Sequence, residues 1–269
     1  MTRRELFKGG GVNVETLIDG NGPPVVMIAS LGRPAEDFDD LAARIADAGF
    51  TAARPQPRGI GKSSGPMEGV SLADLAADVA LVIEALGGEP AVVIGHAFGQ
   101  RVARMLATTT PELVRAVVTL AAGGKVPIPE KARAALAGCF DASLSAEQHL
   151  ANVRYGFFAD GNDATVWREG WHGAVARMQR TATLGLDAGG SSANHDQSWW
   201  AGGQAPMLVI QGLQDTIALP ENGRQLKAAF SDRVELIEID GAGHALLPEK
   251  PEAIANAVMA FLRRVHRAQ

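Results

Sequence analysis

Two ionisable residues follow short apolar segments near the end of the chain. Asp215 and His244 each come three residues after a glycine. An aspartate that binds a histidine ring fixes its tautomer and stabilises its protonated form, so such a pair can act as a general base. Spacing alone leaves open that the two are unrelated surface groups. The elements that carry them must decide between these interpretations.

Short apolar segments alternate with amphipathic ones along most of the chain, which is typical of parallel strands joined by helices. Six segments predict strands, at 24–29, 51–54, 90–94, 114–120, 206–210 and 234–239. The first of them is apolar at consecutive positions, as a strand covered on both faces can be. Amphipathic helices are predicted over 36–49, 71–86, 100–108 and 251–264. Ser71 and Asp74 predict a capping box at the start of the second helix. The predicted fold class is α/β, with Asp215 and His244 following the last two strands.

The alternation stops between residues 125 and 204, where no segment reads convincingly as a strand. We interpret 125–204 as a helical insertion that can cover a site, and 1–124 with 205–269 as the core. All four tryptophans lie in the insertion. They are expected either to pack the insertion onto the core or to line a pocket. The candidate pocket residues are Trp167, Trp171 and Trp199.

The turn between the third strand and its helix, residues 95–99, reads Gly-His-Ala-Phe-Gly and resembles the nucleophile elbow of the α/β-hydrolase family. With Asp215 and His244 in the family's chain order, the resemblance extends over nearly the whole chain. It implies a mostly parallel sheet flanked by helices, with 125–204 as the cap. It also implies that Leu31 and Phe98 supply the backbone N–H groups of an oxyanion hole.

The nucleophile position of this family holds serine, or less often cysteine or aspartate, but here it holds Ala97. Alanine has no nucleophilic atom. Two origins remain open, namely a serine replaced by alanine or natural divergence. Natural divergence is favoured because other positions near the expected site also depart from the family pattern. These are Ala29-Ser30 in place of His-Gly, Gln56 in place of aspartate and Gln100 in place of a small residue.

The resemblance leaves three functions open. The first is hydrolysis of a small, partly hydrophobic ester, lactone or related acyl compound, by a parental serine form or by water that His244 and Asp215 activate. The second is a cofactor-free lyase or other proton-abstracting enzyme that uses the same pair. The third is a ligand-binding protein without turnover. Ser30 and Arg33 are candidate substrate-binding residues, against the alternatives of a serine bonded within its loop and a structurally paired arginine.

Composition argues against several other classes of protein. The 269 residues are 46% hydrophobic and 20% charged, which fits one globular α/β core with an insertion. A net charge of −5 gives no attraction for nucleic acid or anionic membranes, so the expected partner is a small-molecule substrate. No metal or other cofactor is expected, because His149, His172 and His195 lack metal-ligand spacing. A cytoplasmic location is the expectation, and the oligomeric state is not predicted.

Overall fold

The computed structural model describes residues 2–184 and 198–267, and in this part of the chain eight strands form one sheet. The strands are β1 (Arg3–Gly9), β2 (Val12–Asp19), β3 (Pro24–Ile28), β4 (Thr51–Pro55), β5 (Ala91–His96), β6 (Val114–Leu120), β7 (Met207–Gly212) and β8 (Val234–Ile239). Their order across the sheet is β1-β2-β4-β3-β5-β6-β7-β8. The pairs β1–β2 and β2–β4 are antiparallel, and the remaining pairs are parallel. The predicted, mostly parallel sheet is confirmed.

The helices of the described residues are α1 (Asp39–Asp47), α2 (Leu72–Ala85), α3 (Phe98–Thr109), α4 (Glu130–Gly138), α5 (Ala146–Phe157), α6 (Gly173–Leu184), α7 (Glu221–Ala229) and α8 (Pro251–Arg267). The predicted capping box begins α2. Asp74 N–H donates to Ser71 Oγ at 3.1 Å, and Ser71 N–H donates to the Asp74 carboxylate at 2.8 Å. None of the helices in the described residues is long and apolar enough to cross a membrane.

Helices cover both faces of the sheet because its central strands are apolar on both. The strands β3, β5 and β7 are buried along their whole length. Side chains alternate between faces along a strand, so Val93 of β5 joins the core formed with α2 and α3. Val92 joins the core formed with α1 and α8 on the other face. The central strands are therefore held between two layers of helices.

Between β6 and β7 the described residues form helices and no strand. Here lie α4, α5 and α6, together with the short 3-10 helices Ala164–Trp167 and Ser198–Ala201. Phe157 and Trp167 pack with Ile217 in a small core of their own. The helical character agrees with the interpretation of this segment, while the assignment of 125–204 as one cap stays a prediction. His195 lies outside the described residues.

The six predicted strands include neither β2 nor the edge strand β1. The strand β1 pairs antiparallel with β2 at the edge of the sheet, and all seven of its residues are exposed or half-buried. Edge strands commonly carry charged side chains that oppose pairing with other chains. Three of the seven are the cations Arg3, Arg4 and Lys8, so the segment lacks the apolar pattern that marks the buried strands.

The chain turns sharply from β5 into α3, and two glycines permit this turn. A Cβ atom on Gly95 would lie 2.4 Å from the backbone nitrogen of Gln100, and one on Gly99 would lie 2.2 Å from the carbonyl oxygen of Ile28. Both obstacles are backbone atoms, which cannot move aside without shifting a helix or a strand. The close approach of α3 to β5 and β3 therefore depends on the absence of a side chain at both positions.

His96 joins the end of β5 to the loop that follows β8. Its Nε2–H donates to the carbonyl oxygen of His244 at 2.8 Å. The ring is completely buried. Burial, together with the nearby His244 ring, lowers the pKa of His96 to about 3. His96 is therefore a neutral side chain that connects the turn to the loop after β8.

Replacing Gly95 should destabilise the fold. We expect Gly95→Ala to lower the free energy of unfolding by about 1–3 kcal/mol, the usual cost of an overpacked site. The control is Gly156→Ala in α5, where a Cβ would meet its nearest neighbour, Ile217, at an ordinary 3.5 Å. That change should leave stability unchanged or raise it by up to about 1 kcal/mol. Denaturant unfolding measures both, and equal stability of the two variants would contradict the close packing.

His96 should make a pH-dependent contribution to stability. Its pKa is lowered to about 3 in the folded chain from an ordinary 6.5, so as the pH falls the unfolded chain takes up the proton first. The contribution is complete above pH 6.5 and is lost toward pH 3, by at most about 1.4 kcal/mol per pH unit. We expect the stability advantage of the native chain over His96→Asn to shrink between pH 6.5 and 4. A difference that stays constant with pH would argue against a buried neutral ring.

Candidate active site

Ala97 stands at the tip of the turn between β5 and α3. Its φ of 48° and ψ of −106° lie outside the regions that L-residues ordinarily adopt. The Ala97 N–H donates to the carbonyl oxygen of Leu120 at 2.8 Å, which anchors the tip to the end of β6. This backbone places the side chain of Ala97 in the wall of a cavity. The elbow is thus present as a backbone feature, but its side chain is a methyl group.

The Asp215 carboxylate lies in the loop after β7, where it is buried and accepts several hydrogen bonds. Its Oδ1 accepts the backbone N–H groups of Ile217 and Ala218, each at 2.8 Å. Its Oδ2 accepts the side-chain amide of Gln211 at 3.3 Å. Gln211 also accepts the N–H of Ala122 at 3.1 Å, which links this loop to the end of β6. The buried carboxylate therefore has one fixed orientation.

The imidazole of His244 binds this carboxylate. Its Nδ1 lies 2.9 Å from Asp215 Oδ2 and 3.1 Å from Oδ1. A carboxylate accepts hydrogen bonds, so Nδ1 carries the proton and Nε2 holds the lone pair. The ring of Phe157 packs against the imidazole with centroids 5.2 Å apart. His244 lines the same cavity as Ala97, which makes it a correctly oriented general base.

Glu249 holds the loop that carries His244, and sequence reasoning did not identify it. Its buried carboxylate accepts the N–H groups of Gly243 at 2.9 Å and Leu246 at 2.8 Å. It also accepts the N–H of Ala159 at 2.7 Å, which attaches the loop to the helical segment. The available signal was an acidic residue only five positions after His244 and two positions before the last helix.

The cavity has a volume of about 450 Å³ and contains the residues expected at an α/β-hydrolase site. Ala97 and His244 line it together with Ser30, Leu31 and Phe98. Phe98 is the first residue of α3, and Leu31 belongs to the loop after β3, beside Gly32. The Gly32 N–H donates to Gln179 Oε1 at 2.7 Å, which fixes this loop. The structure therefore brings together the base, the elbow and both residues whose N–H groups are expected to form the oxyanion hole.

Two of the residues that depart from the family pattern, Gln100 and Gln56, form hydrogen bonds with neighbouring groups. Gln100 is buried behind the elbow, where its amide donates to the carbonyl oxygen of Gly123 and accepts a hydrogen bond from Arg104. Gln56 accepts the N–H of Ala35 at 2.9 Å and donates to Glu36 at 2.6 Å. Amide side chains are poor nucleophiles, so neither glutamine replaces the hydroxyl that Ala97 lacks.

Four residues predicted to bind substrate, Arg33, Trp167, Trp171 and Trp199, are not among the described residues that line this cavity. The buried Arg33 pairs with Asp37 at 2.7 Å and lies over the rings of Trp167 and Trp171, 4.4 and 4.7 Å from their centroids. The ring of Trp199 lies under the Arg104 guanidinium, 4.6 Å away. These contacts hold the helical segment against the core, because a guanidinium group is attracted to the face of an indole ring.

Among residues 2–184 and 198–267, no three His, Cys, Asp or Glu side chains lie close enough together to hold a metal ion. The ring of His149 instead bonds to the carbonyl oxygen of Arg168 at 3.1 Å. His172 is half-buried, and burial lowers its pKa.

Two sequence comparisons match these features to known proteins. A family described as alpha/beta hydrolase fold matches residues 23–141, which include the elbow. Epoxide hydrolase A of Mycobacterium tuberculosis is 27% identical over 94% of this chain and 98% of its own length. The polyketide synthase ThaQ of Burkholderia thailandensis is 28% identical over the whole chain, which spans 13% of the length of ThaQ.

A solved structure supports the same assignment. The thermophilic esterase from Thermogutta terrifontis superposes with a TM-score of 0.76, covering 99% of each chain at 20% identity. At this identity the likeness shows the fold alone. It agrees with the strand order, the elbow backbone and the family match. The chain therefore has the α/β-hydrolase fold, and residues 23–141 match the model of that family.

Proposed function

We propose that this chain hydrolyses a small, partly hydrophobic ester, lactone or related acyl compound with water as the attacking group. The observation that carries the proposal is the Asp215–His244 pair, which faces a cavity whose elbow residue, Ala97, has no nucleophilic atom. Leu31, Phe98 and Ile217 give that cavity an apolar wall. The relatives named above include enzymes that carry out hydrolysis, which supports the reaction class.

The reaction follows from the orientation of the imidazole. His244 Nε2 removes a proton from water, and the water oxygen attacks the acyl carbon to form a tetrahedral intermediate. The backbone N–H groups of Leu31 and Phe98 stabilise its oxyanion. The intermediate collapses, the bond to the leaving oxygen breaks, and His244 returns the proton to that oxygen. Asp215 stabilises the imidazolium between the two transfers.

A proton-abstracting lyase is the second candidate, and the same absence of a nucleophile favours it. In that reaction His244 removes a proton beside a carbonyl, and the two N–H groups stabilise the enolate instead of a tetrahedral oxyanion. Ser30 lines the cavity and its hydroxyl is available as a further hydrogen-bond donor. The products distinguish the two reactions, because hydrolysis consumes one water and lyase chemistry creates a double bond.

Removing either member of the pair should abolish turnover. We expect His244→Gln and Asp215→Asn each to lower kcat/KM on short acyl esters by roughly 10²–10⁴-fold, since the first removes the base and the second its correct tautomer. The matched control is Asp232→Asn, which changes an exposed acid outside the cavity and should leave kcat/KM unchanged. Unchanged turnover in His244→Gln would exclude this mechanism. A ligand that binds the native chain without any turnover would instead indicate a binding protein.

Restoring a hydroxyl at the elbow should create a covalent nucleophile. We expect an alkyl fluorophosphonate to label Ala97→Ser, forming a bond from the serine oxygen to phosphorus, releasing fluoride and passing the proton to His244. The native chain should remain unlabelled because Ala97 has no oxygen. Adding His244→Gln to Ala97→Ser should slow labelling strongly. Mass spectrometry of the intact chain measures the adduct, and labelling of the native chain would reveal a nucleophile elsewhere in the site.

A further inference from the structure

The cavity that contains His244 carries positive charge at three separate points. Arg101 of α3, Arg133 of α4 and Arg180 of α6 all line it. Among the described lining residues there is no aspartate or glutamate. The chain as a whole has 25 basic and 30 acidic residues, so this local excess does not reflect a basic protein. Three helices therefore converge to place cations around one volume.

Arg101 and Arg180 are half-buried and Arg133 is exposed, and in the described part of the chain all three lack the carboxylate partners that buried arginines such as Arg33 and Arg58 have. Arg33 and Arg58 form ion pairs with Asp37 and Asp78, each at 2.7 Å. By contrast, within residues 2–184 and 198–267 the three cavity guanidinium groups have no carboxylate within 4.0 Å and no hydrogen bond. Burial lowers the pKa of Arg101 and of Arg180, which reflects charge held in a poorly solvated place. A charge that is partly removed from water without a counterion is costly, and a bound anion would offset that cost at Arg101 and Arg180.

The contacts that these groups do make leave their donors available. The guanidinium of Arg101 lies over the ring of Trp199, 5.1 Å from its centroid, and that of Arg180 lies over Phe140 at 5.2 Å. Stacking uses the face of the guanidinium group, whereas its N–H groups point outward in the plane. The rings therefore support the side chains without occupying the hydrogen bonds that would bind an anion.

One of the arginines is also close to the elbow along the chain. Arg101 comes four residues after Ala97, which corresponds to about 6 Å along α3. Between the charged groups the cavity wall is apolar and includes Val126, Ile128 and Leu136. A ligand that fits both features has an acyl group near His244, a short apolar linker and a negatively charged end.

We propose that the substrate carries an anionic oxyacid group, a carboxylate or a phosphate, which Arg101, Arg133 and Arg180 bind while its acyl carbon faces His244. The identity of the scissile bond rests on the function proposed above. The anion site does not, because it is measured by binding. Arginine suits this role through its paired, in-plane donors, which match the two oxygens of such a group.

Binding of three methyl esters of similar size tests the site. The probes are monomethyl glutarate and methyl 3-phosphonopropionate, which are anionic, and neutral dimethyl glutarate. Titration calorimetry on the native chain and on His244→Gln gives affinities whether or not the ester is hydrolysed. We expect at least one anionic probe to bind about tenfold or more tightly than the neutral diester, a difference of about 1.4 kcal/mol. The better anionic probe identifies the group as a carboxylate or as a phosphate, for which the phosphonate stands in.

Variants of the arginines locate the effect. Arg101→Gln and Arg180→Gln should each remove most of the preference for the anionic probe. Arg133→Gln should also lower that preference, and because Arg133 is exposed this change does not disturb packing. The matched control is Arg177→Gln on the same helix as Arg180, exposed and outside this cavity. Equal affinity for neutral and anionic probes overturns the proposal. An equal loss in Arg177→Gln also overturns it, because that result reflects general charge and not a site.

Discussion

The site depends on one buried carboxylate. Asp215 accepts hydrogen bonds from two backbone N–H groups and one side-chain amide, and this set fixes its orientation before the histidine is considered. Because the carboxylate is fixed, the His244 ring bound to it has one tautomer and one direction. Glu249 and the neutral His96 hold the backbone on either side of that ring. Three buried polar side chains thus position one basic nitrogen.

The elbow preserves its geometry without its usual chemistry. Ala97 keeps a backbone of positive φ, and Gly95 and Gly99 keep the close approach that this turn requires. Such strain persists only where the surrounding structure enforces it. Here the enforcing structure also sets the Phe98 N–H at the start of α3, beside the cavity. The strained turn is therefore compatible with the proposed oxyanion binding, which does not need a hydroxyl.

Much of the fold and of the central site was predictable from the sequence, for a physical reason. Buried parallel strands are apolar at consecutive positions, and residues at their carboxyl ends meet at one edge of the sheet, so Asp215, His244 and Ala97 could be placed together. The edge strand β1 carries no such signal. Whether Trp167 and Arg33 bind substrate or pack against other side chains could not be decided from the sequence, because the direction of a side chain depends on tertiary packing. The position of the three cavity arginines was not predicted, because they lie on three separate helices that no local sequence pattern connects.

The central claim is that water, activated by His244, attacks the acyl carbon directly. A single-turnover reaction of the native chain with a short acyl ester in ¹⁸O-labelled water tests it, with alcohol and acid followed by mass spectrometry. If water attacks directly, alcohol and acid should appear together from the first time point, with one solvent oxygen in each acid. Alcohol that forms ahead of acid, or acid that carries no solvent oxygen, would contradict it.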